Sequence, residues 1–444
     1  MICARYAHVW MRRAALSLSL LVVALLPGAP AAWAEGLRVG FGRAELPRPE
    51  NGPLGGYGGL RDRRAQQLLD PPEARALVIE ENGARIALVA LDLVIIRPIL
   101  REGLRQLTEA YALDTLVVAA THTHSGPGGY IPGRLPARLS TGKFDPGTPR
   151  KLVRTALRAL QLALTDLTSA RAASGRVELS LARNRRFPAG PHETDLPLLR
   201  FDFPSGRAPV ALFAYGAHPT VLSPKSRAYS ADYVGAARAW LEQKGWRALF
   251  LAGPMGDQEP SSQLGKLWPR DVAKQRAQVA EIGSKLGEAV LQGVRQLTPT
   301  DGAVLASIER WVEAPGTPGF RRFCSAWWFT PFVRPVLRGF LSRRVPIHAI
   351  RVGNARIVTL PAEPASSVAQ QIREGLPPGL PVFIIAHADD WLGYVVSAEA
   401  YRKGGYEACM SFYGPEFGRW LVTEALTTLR LLESHALTPY DRQP

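Results

Sequence analysis

Cysteine is scarce: Cys3, Cys324 and Cys409 are the three in 444 residues. No C-x-x-C pair occurs, so a thiolate metal site of that kind is excluded. Histidine is also thin, eight in all, which gives weight to any two that fall close together. Acidic residues are outnumbered, 38 Asp and Glu against 54 Lys and Arg, leaving a formal charge of +16. That surplus is compatible with an anionic lipid surface or nucleic acid, or simply with a solvated basic face. The arginines are scattered rather than striped and no nucleic-acid motif occurs, so nucleic acid is not expected. Internal repeats and long low-complexity linkers are absent. With 46% hydrophobic residues, the composition is that of a globular protein with a sizeable core.

The first residues read as a targeting segment. Arg5, Arg12 and Arg13, with no acid among them, precede an apolar run over residues 14–26, and Ala32 and Ala34 stand just before Glu35. This is the n-region, h-region and A-x-A site of a secretory signal peptide, and the run is short for a hydrocarbon layer of about 30 Å. Residues 1–34 are therefore expected to be removed, and the product to be exported, periplasmic or secreted. Cys324 and Cys409 would remain, in a compartment where two thiols can pair.

Apolar, β-branched runs bounded by Gly, Pro or polar clusters read as strands over 74–80, 86–91, 115–120, 210–215, 248–252, 347–352, 356–360 and 382–386. Apolar residues at three- and four-residue spacing predict helices over 98–110, 148–163, 233–244, 272–296 and 419–434. The alternation predicts an α/β (mixed α+β) fold, one domain over 35–444, with a central sheet flanked by helices. Glycines crowd residues 40–59 around Tyr57 without the spacing of a phosphate loop. That stretch reads as a tight irregular loop bordering a site or the core.

The chemistry lies where strands stop. Residues 115–120 run into His122 and His124, whose spacing of two would put both rings on one face of a continuing strand. Other strand ends lead to His218, to Glu363, to Tyr394 and to Gly256-Asp257-Gln258-Glu259-Pro260. Carboxyl ends of strands are where α/β sheets hold ligands. Two imidazoles and a carboxylate suit Zn2+ with a position left open for water. The expected metal site therefore sits at strand carboxyl ends.

Together these segments carry a resemblance. Thr121-His122-Thr123-His124-Ser125-Gly126-Pro127-Gly128-Gly129-Tyr130 resembles the signature of the neutral/alkaline (non-lysosomal) ceramidase family. Gly55-Gly56-Tyr57, Leu91-Asp92-Leu93, Asn184-Arg185, His218-Pro219-Thr220, Leu360-Pro361-Ala362-Glu363 and Gly393-Tyr394-Val395-Val396 follow in the family's order. The resemblance implies a zinc amidohydrolase acting on the N-acyl amide of ceramide-like lipids. It implies Zn2+ held by His122, His218, Glu363 and Tyr394, with His124, Arg185 and Tyr406 around the scissile amide. Arg185 and Tyr406 would donate hydrogen bonds to the oxyanion, and His124 would instead pass a proton to the leaving amine.

The family's G-D-x-S-P serine, a proposed nucleophile, is replaced here by Glu259, with Ser261 and Ser262 two and three places on. A carboxylate is a poor nucleophile toward an amide, so Glu259 is expected to act as general base toward a metal-activated water. The departure keeps open a zinc hydrolase of another amide or ester, or a non-catalytic lipid-binding relative. The family's appended β-sandwich is not expected, because the last predicted helix falls close to the end of this sequence. Residues 320–344 combine Phe323, Trp327, Trp328, Phe329, Phe332 and Phe340 with flanking arginines. They are expected either at a membrane interface or as a helical hairpin packed on the body.

Overall fold

The computed structural model describes residues 36–58, 63–133, 136–137, 140–320, 324 and 330–437. The expected signal segment, and Phe323, Trp327, Trp328 and Phe329 of the aromatic segment, lie outside the described residues. The described residues form one compact unit.

The fold is mixed α+β as expected, and its central strands form three main sheets. The first contains β1 (Arg38–Glu45), β2 (Glu73–Glu81), β3 (Ala84–Leu91), β4 (Thr115–Ala120) and the short β5 (Thr168–Ser169), in the order β4-β3-β2-β1-β5. The second contains β6 (Arg171–Glu178), β7 (Asp195–Asp202), β8 (Val210–Tyr215), β9 (Arg247–Ala252) and β10 (Thr300–Asp301), in the order β9-β8-β7-β6-β10. The third runs β11 (Leu305–Glu313), β12 (Arg344–Val352), β13 (Ala355–Thr359), β14 (Val382–Ile385) in sequence.

Each sheet holds one parallel pair: β3 with β4, β8 with β9, β13 with β14. A helix bridges each pair, α1 (Pro98–Thr108), α3 (Asp232–Gln243) and α6 (Ser366–Glu374) respectively, as parallel pairing demands. Between them in the chain come α2 (Gly147–Thr165), α4 (Val272–Gln296) and α5 (Thr330–Phe340), and α7 (Ala398–Arg402), α8 (Tyr406–Cys409) and α9 (Phe417–Leu437) follow. Inner faces of the three sheets share one core, in which Leu88, Phe201, Leu212, Ile357 and Phe383 are fully buried. Outer faces are covered by α1, α2 and α9 on one side and by α3 and α4 on the other. Three strand–helix–strand units therefore bring their carboxyl ends to one place.

Four long strands were not anticipated, and each departs from strand chemistry. β1 carries Gly40 and Gly42, where a Cβ would overlap the α2 carbonyls of Ala163 and Ala159. Glycine is there so that α2 can lie on the strand, and residues 40–45 are strand rather than loop. β7 contains Pro197, and β6 and β11 are largely solvated and lack an apolar stripe.

One buried ion pair joins the first two units. Arg238 of α3 donates to both Asp92 oxygens, at 3.0 and 2.6 Å, and Asp92 also accepts from the Thr121 hydroxyl at 3.0 Å and the Glu73 amide at 2.7 Å. Both partners are nearly inaccessible. Asp92→Ala would leave an uncompensated buried guanidinium, and an unfolding free energy lower by about 3–5 kcal/mol is expected in urea titration. Asp92→Leu combined with Arg238→Met should cost less than either single change; equal or additive losses would argue against the pair as the anchor.

Candidate metal centre

His122 follows β4 but not as strand. Its φ is +67°, a left-handed conformation that ends the extended run after Ala120. The expected strand continuation through His124 is therefore wrong. The turn itself brings the rings together, with Nε2 atoms 3.3 Å apart. The His122 amide bonds Leu93 O at 3.0 Å, and its Nδ1 lies 2.6 Å from Val94 O. A carbonyl only accepts, so Nδ1 carries the proton and Nε2 presents a lone pair.

His218, beyond β8, is built the same way. Its Nδ1 lies 2.8 Å from Gln258 O, which again leaves Nε2 as the free lone pair. Glu363, just beyond β13, places Oε1 2.8 Å from His218 Nε2 and 3.6 Å from His122 Nε2. Its short strand pairs with Tyr394–Val395, and the Tyr394 hydroxyl comes 3.3 Å from His218 Nε2.

The donor set fits a metal ion. His122, His218 and Glu363 are buried and each turns a ligand atom toward the others within 4.8 Å. Burial lowers the His218 pKa to about 4, so near pH 7 the ring is neutral and faces a carboxylate acceptor to acceptor. A cation between the lone pairs relieves that arrangement, and tetrahedral N/O sites suit zinc.

Of the other expected residues, His124 and Tyr406 line the cavity above the cluster. The His124 Nδ1 accepts the Tyr57 amide at 3.1 Å, so its neutral ring carries the proton on Nε2. Burial and the neighbouring His122 hold its pKa well below the usual value. It is a hydrogen-bond donor with no acceptor site to spare, its Nε2–H 3.3 Å from His122 Nε2. The glycine-rich loop is what fixes this: a Cβ on Gly56 would overlap the His124 ring.

Arg185 reaches the cluster through Tyr394. Its guanidinium donates to the Tyr394 hydroxyl at 3.3 Å, to Gly256 O at 3.0 Å and to Glu407 at 2.8 Å, and it is not among the cavity-lining residues.

Glu259 is not brought to the centre. In the short strand Gln258–Pro260 the Gln258 side chain is buried, and alternation turns Glu259 the other way, to an ion pair with Arg183 at 2.8 Å on the paired strand. The general-base expectation is corrected on that ground. Ser262 likewise turns away, to Glu281 at 2.5 Å. The useful member of the motif is Asp257, which accepts the Ser366 amide at 2.8 Å, its hydroxyl at 3.0 Å and the Asn184 amide group at 2.8 Å. It ties the start of α6, and so Glu363, to the segment carrying Arg185.

Sequence reasoning also missed His387, fully buried, its ring stacked on His122 with centroids 3.9 Å apart. The cavity itself, about 330 Å³, is apolar except at this floor, with Val94, Leu337, Phe340, Trp391 and Phe412 in its walls.

The His218 shift has a stability consequence. The unfolded ring, near 6.5, protonates before the folded ring, near 4, so its stabilising contribution is complete above about pH 6.5 and declines as pH falls toward 4. In chelator-treated protein, urea unfolding at pH 7 and pH 5 should show a loss about 2 kcal/mol larger for wild type than for His218→Gln. Equal losses in the two proteins would refute the assignment.

Comparison with known proteins agrees with the geometry. Residues 38–250 match the family described as neutral/alkaline non-lysosomal ceramidase, N-terminal. A neutral ceramidase of Mycobacterium tuberculosis (strain ATCC 25618 / H37Rv) is 24% identical over 478 residues, spanning 84% of this chain and 73% of that protein. The crystal structure of neutral ceramidase from Pseudomonas aeruginosa shares the fold with a TM-score of 0.75 at 21% identity, covering 90% of this chain and 75% of that one. A ceramidase complexed with C2 gives 0.76 at 21% identity, covering 93% and 77%. The matched residues 38–250 thus carry the sequence of the neutral/alkaline non-lysosomal ceramidase family, and the whole fold is that of the solved neutral ceramidases.

Proposed function

We propose that this protein is a zinc-dependent amidohydrolase that cleaves the N-acyl amide of ceramide-like lipids. The observation that carries the reading is a mostly apolar cavity of about 330 Å³ whose polar floor exposes His122 and Glu363 of the His122–His218–Glu363 cluster, with Tyr394 beside them. Apolar walls suit hydrocarbon chains, and the floor suits one polar linkage. A divalent cation held by His122, His218, Glu363 and Tyr394 would polarise the amide carbonyl and make water a better nucleophile there. His124 supplies an Nε2–H fixed in direction by Tyr57, suited to an oxyanion. Tyr406, its ring 5.5 Å from that of Tyr394, brings a second hydroxyl to the same end of the cavity. Arg185 holds the Tyr394 hydroxyl in place.

Export is supported by the Cys324–Cys409 disulfide, with Cα atoms 5.5 Å apart, since such bonds persist in oxidising compartments. Contact with a membrane surface is supported by α5. Val336, Leu337 and Phe340 of this helix wall the cavity, while Phe332 is 78% exposed beside exposed Arg334. Among the described residues no helix is long and apolar enough to cross a membrane, so the contact would be peripheral.

Hydrolysis of a fluorescent N-acylsphingosine should disappear with chelator, return with Zn2+, and fall by about two orders of magnitude or more in Glu363→Gln. Glu259→Ala should retain turnover within about twofold, since the carboxylate serves a surface ion pair. Chelator-insensitive turnover, or none toward any N-acyl lipid, would overturn the assignment. For the membrane contact, Phe332→Glu should lower binding to anionic liposomes several-fold while leaving hydrolysis of a water-soluble short-chain amide unchanged; undiminished binding removes α5 from the contact.

A further inference from the structure

The second oxygen of Glu363 has its own partner. Oε1 faces the two imidazoles, while Oε2 accepts the indole N–H of Trp391 at 3.3 Å. Both residues are buried. An indole N–H only donates and cannot itself become a ligand. A carboxylate with one oxygen so engaged is pinned about its terminal torsion and offers a single oxygen to the cluster.

Trp391 is itself held on every side. Its amide donates to Asp390 Oδ1 at 2.7 Å, and its carbonyl accepts from Arg97 at 3.1 Å. Arg97 also pairs with Asp390, bonds the Phe340 carbonyl and lies 4.2 Å over the Phe340 ring. The indole packs between Phe340 and Phe412, at centroid distances of 6.3 and 6.2 Å, in the apolar wall of the cavity. One rigid ring therefore lines the cavity with its face and meets the Glu363 carboxylate at its edge.

We infer that Trp391 is a positioning residue that fixes Glu363 as a one-oxygen ligand and joins the apolar wall of the cavity to the metal centre. The inference rests on the reading of the cluster as a metal site. Losing the N–H frees Oε2, and the carboxylate then turns or chelates through both oxygens, at a cost in affinity.

Two variants of nearly equal size separate this from plain packing. Trp391→Phe removes the donor, and Trp391→Tyr removes the indole but returns a donor at the ring's far end. Zinc dissociation constants, from competition with a chromophoric chelator on the full chain, should rise about 10- to 100-fold in the Phe variant. The Tyr variant should recover most of that. At saturating zinc, kcat should be lower in Phe than in Tyr at similar KM. Equal zinc affinity and kcat in the two variants would overturn the inference, because both disturb the wall alike. Wild-type protein that fails to bind zinc would instead overturn the metal-site reading beneath it.

Discussion

A neutral imidazole and a carboxylate, both buried, face each other through lone pairs at His218 and Glu363, and much of the centre's architecture follows from that unfavourable contact. Neither group can escape it. His218 is fixed by a backbone carbonyl behind its ring, and Glu363 by the indole N–H of Trp391 on its second oxygen. In a low-dielectric interior the arrangement is costly unless positive charge sits between them. The surrounding contacts can be read as what keeps these acceptors aimed at one point.

Those contacts are distributed over the three strand–helix–strand units. Val94 O and Gln258 O set the two tautomers, yet neither carbonyl belongs to a regular strand of a main sheet. Each depends on a loop that must itself be held. Asp92 with Arg238 holds the first, and Asp257 holds the second through bonds to Asn184 and Ser366. Buried charges far from the chemistry thus serve the metal site by fixing backbone oxygens. The same arrangement explains why aspartates in short strand-end motifs matter although neither points at the cluster.

What the sequence made legible divides along physical lines. Strands with continuous apolar runs, such as Thr115–Ala120 and Val210–Tyr215, and helices with a clear apolar face, such as Val272–Gln296, announce themselves because burial is local to the residue. β1 did not, because its glycines answer to a helix more than a hundred residues away. His122, His218 and Glu363 were readable as strand-end polar residues. The route by which they meet was not, since the positive φ of His122 is a tertiary outcome. Glu259 was misjudged for a related reason. A motif position says which residue stands there, whereas strand alternation decides which way it looks, and Gln258 took the inward side. His387 and Trp391 carry no local signature, because each acts on a histidine or carboxylate remote in sequence.

The division between apolar wall and polar floor has its own logic. Removing water from the walls strengthens every electrostatic term at the floor, so the medium that accepts hydrocarbon also sharpens the hydrogen bonds aimed at the reacting group. It also explains why the histidine pKa values fall: burial disfavours imidazolium, and neutral rings are what both a metal ligand and a fixed N–H donor require. α5 walls the cavity with Val336, Leu337 and Phe340 and presents Phe332 outward, so one helix carries both an apolar wall and an exposed aromatic ring. A lipid moving from a bilayer into such a cavity would stay in contact with apolar groups until its polar linkage met the one region built to receive it.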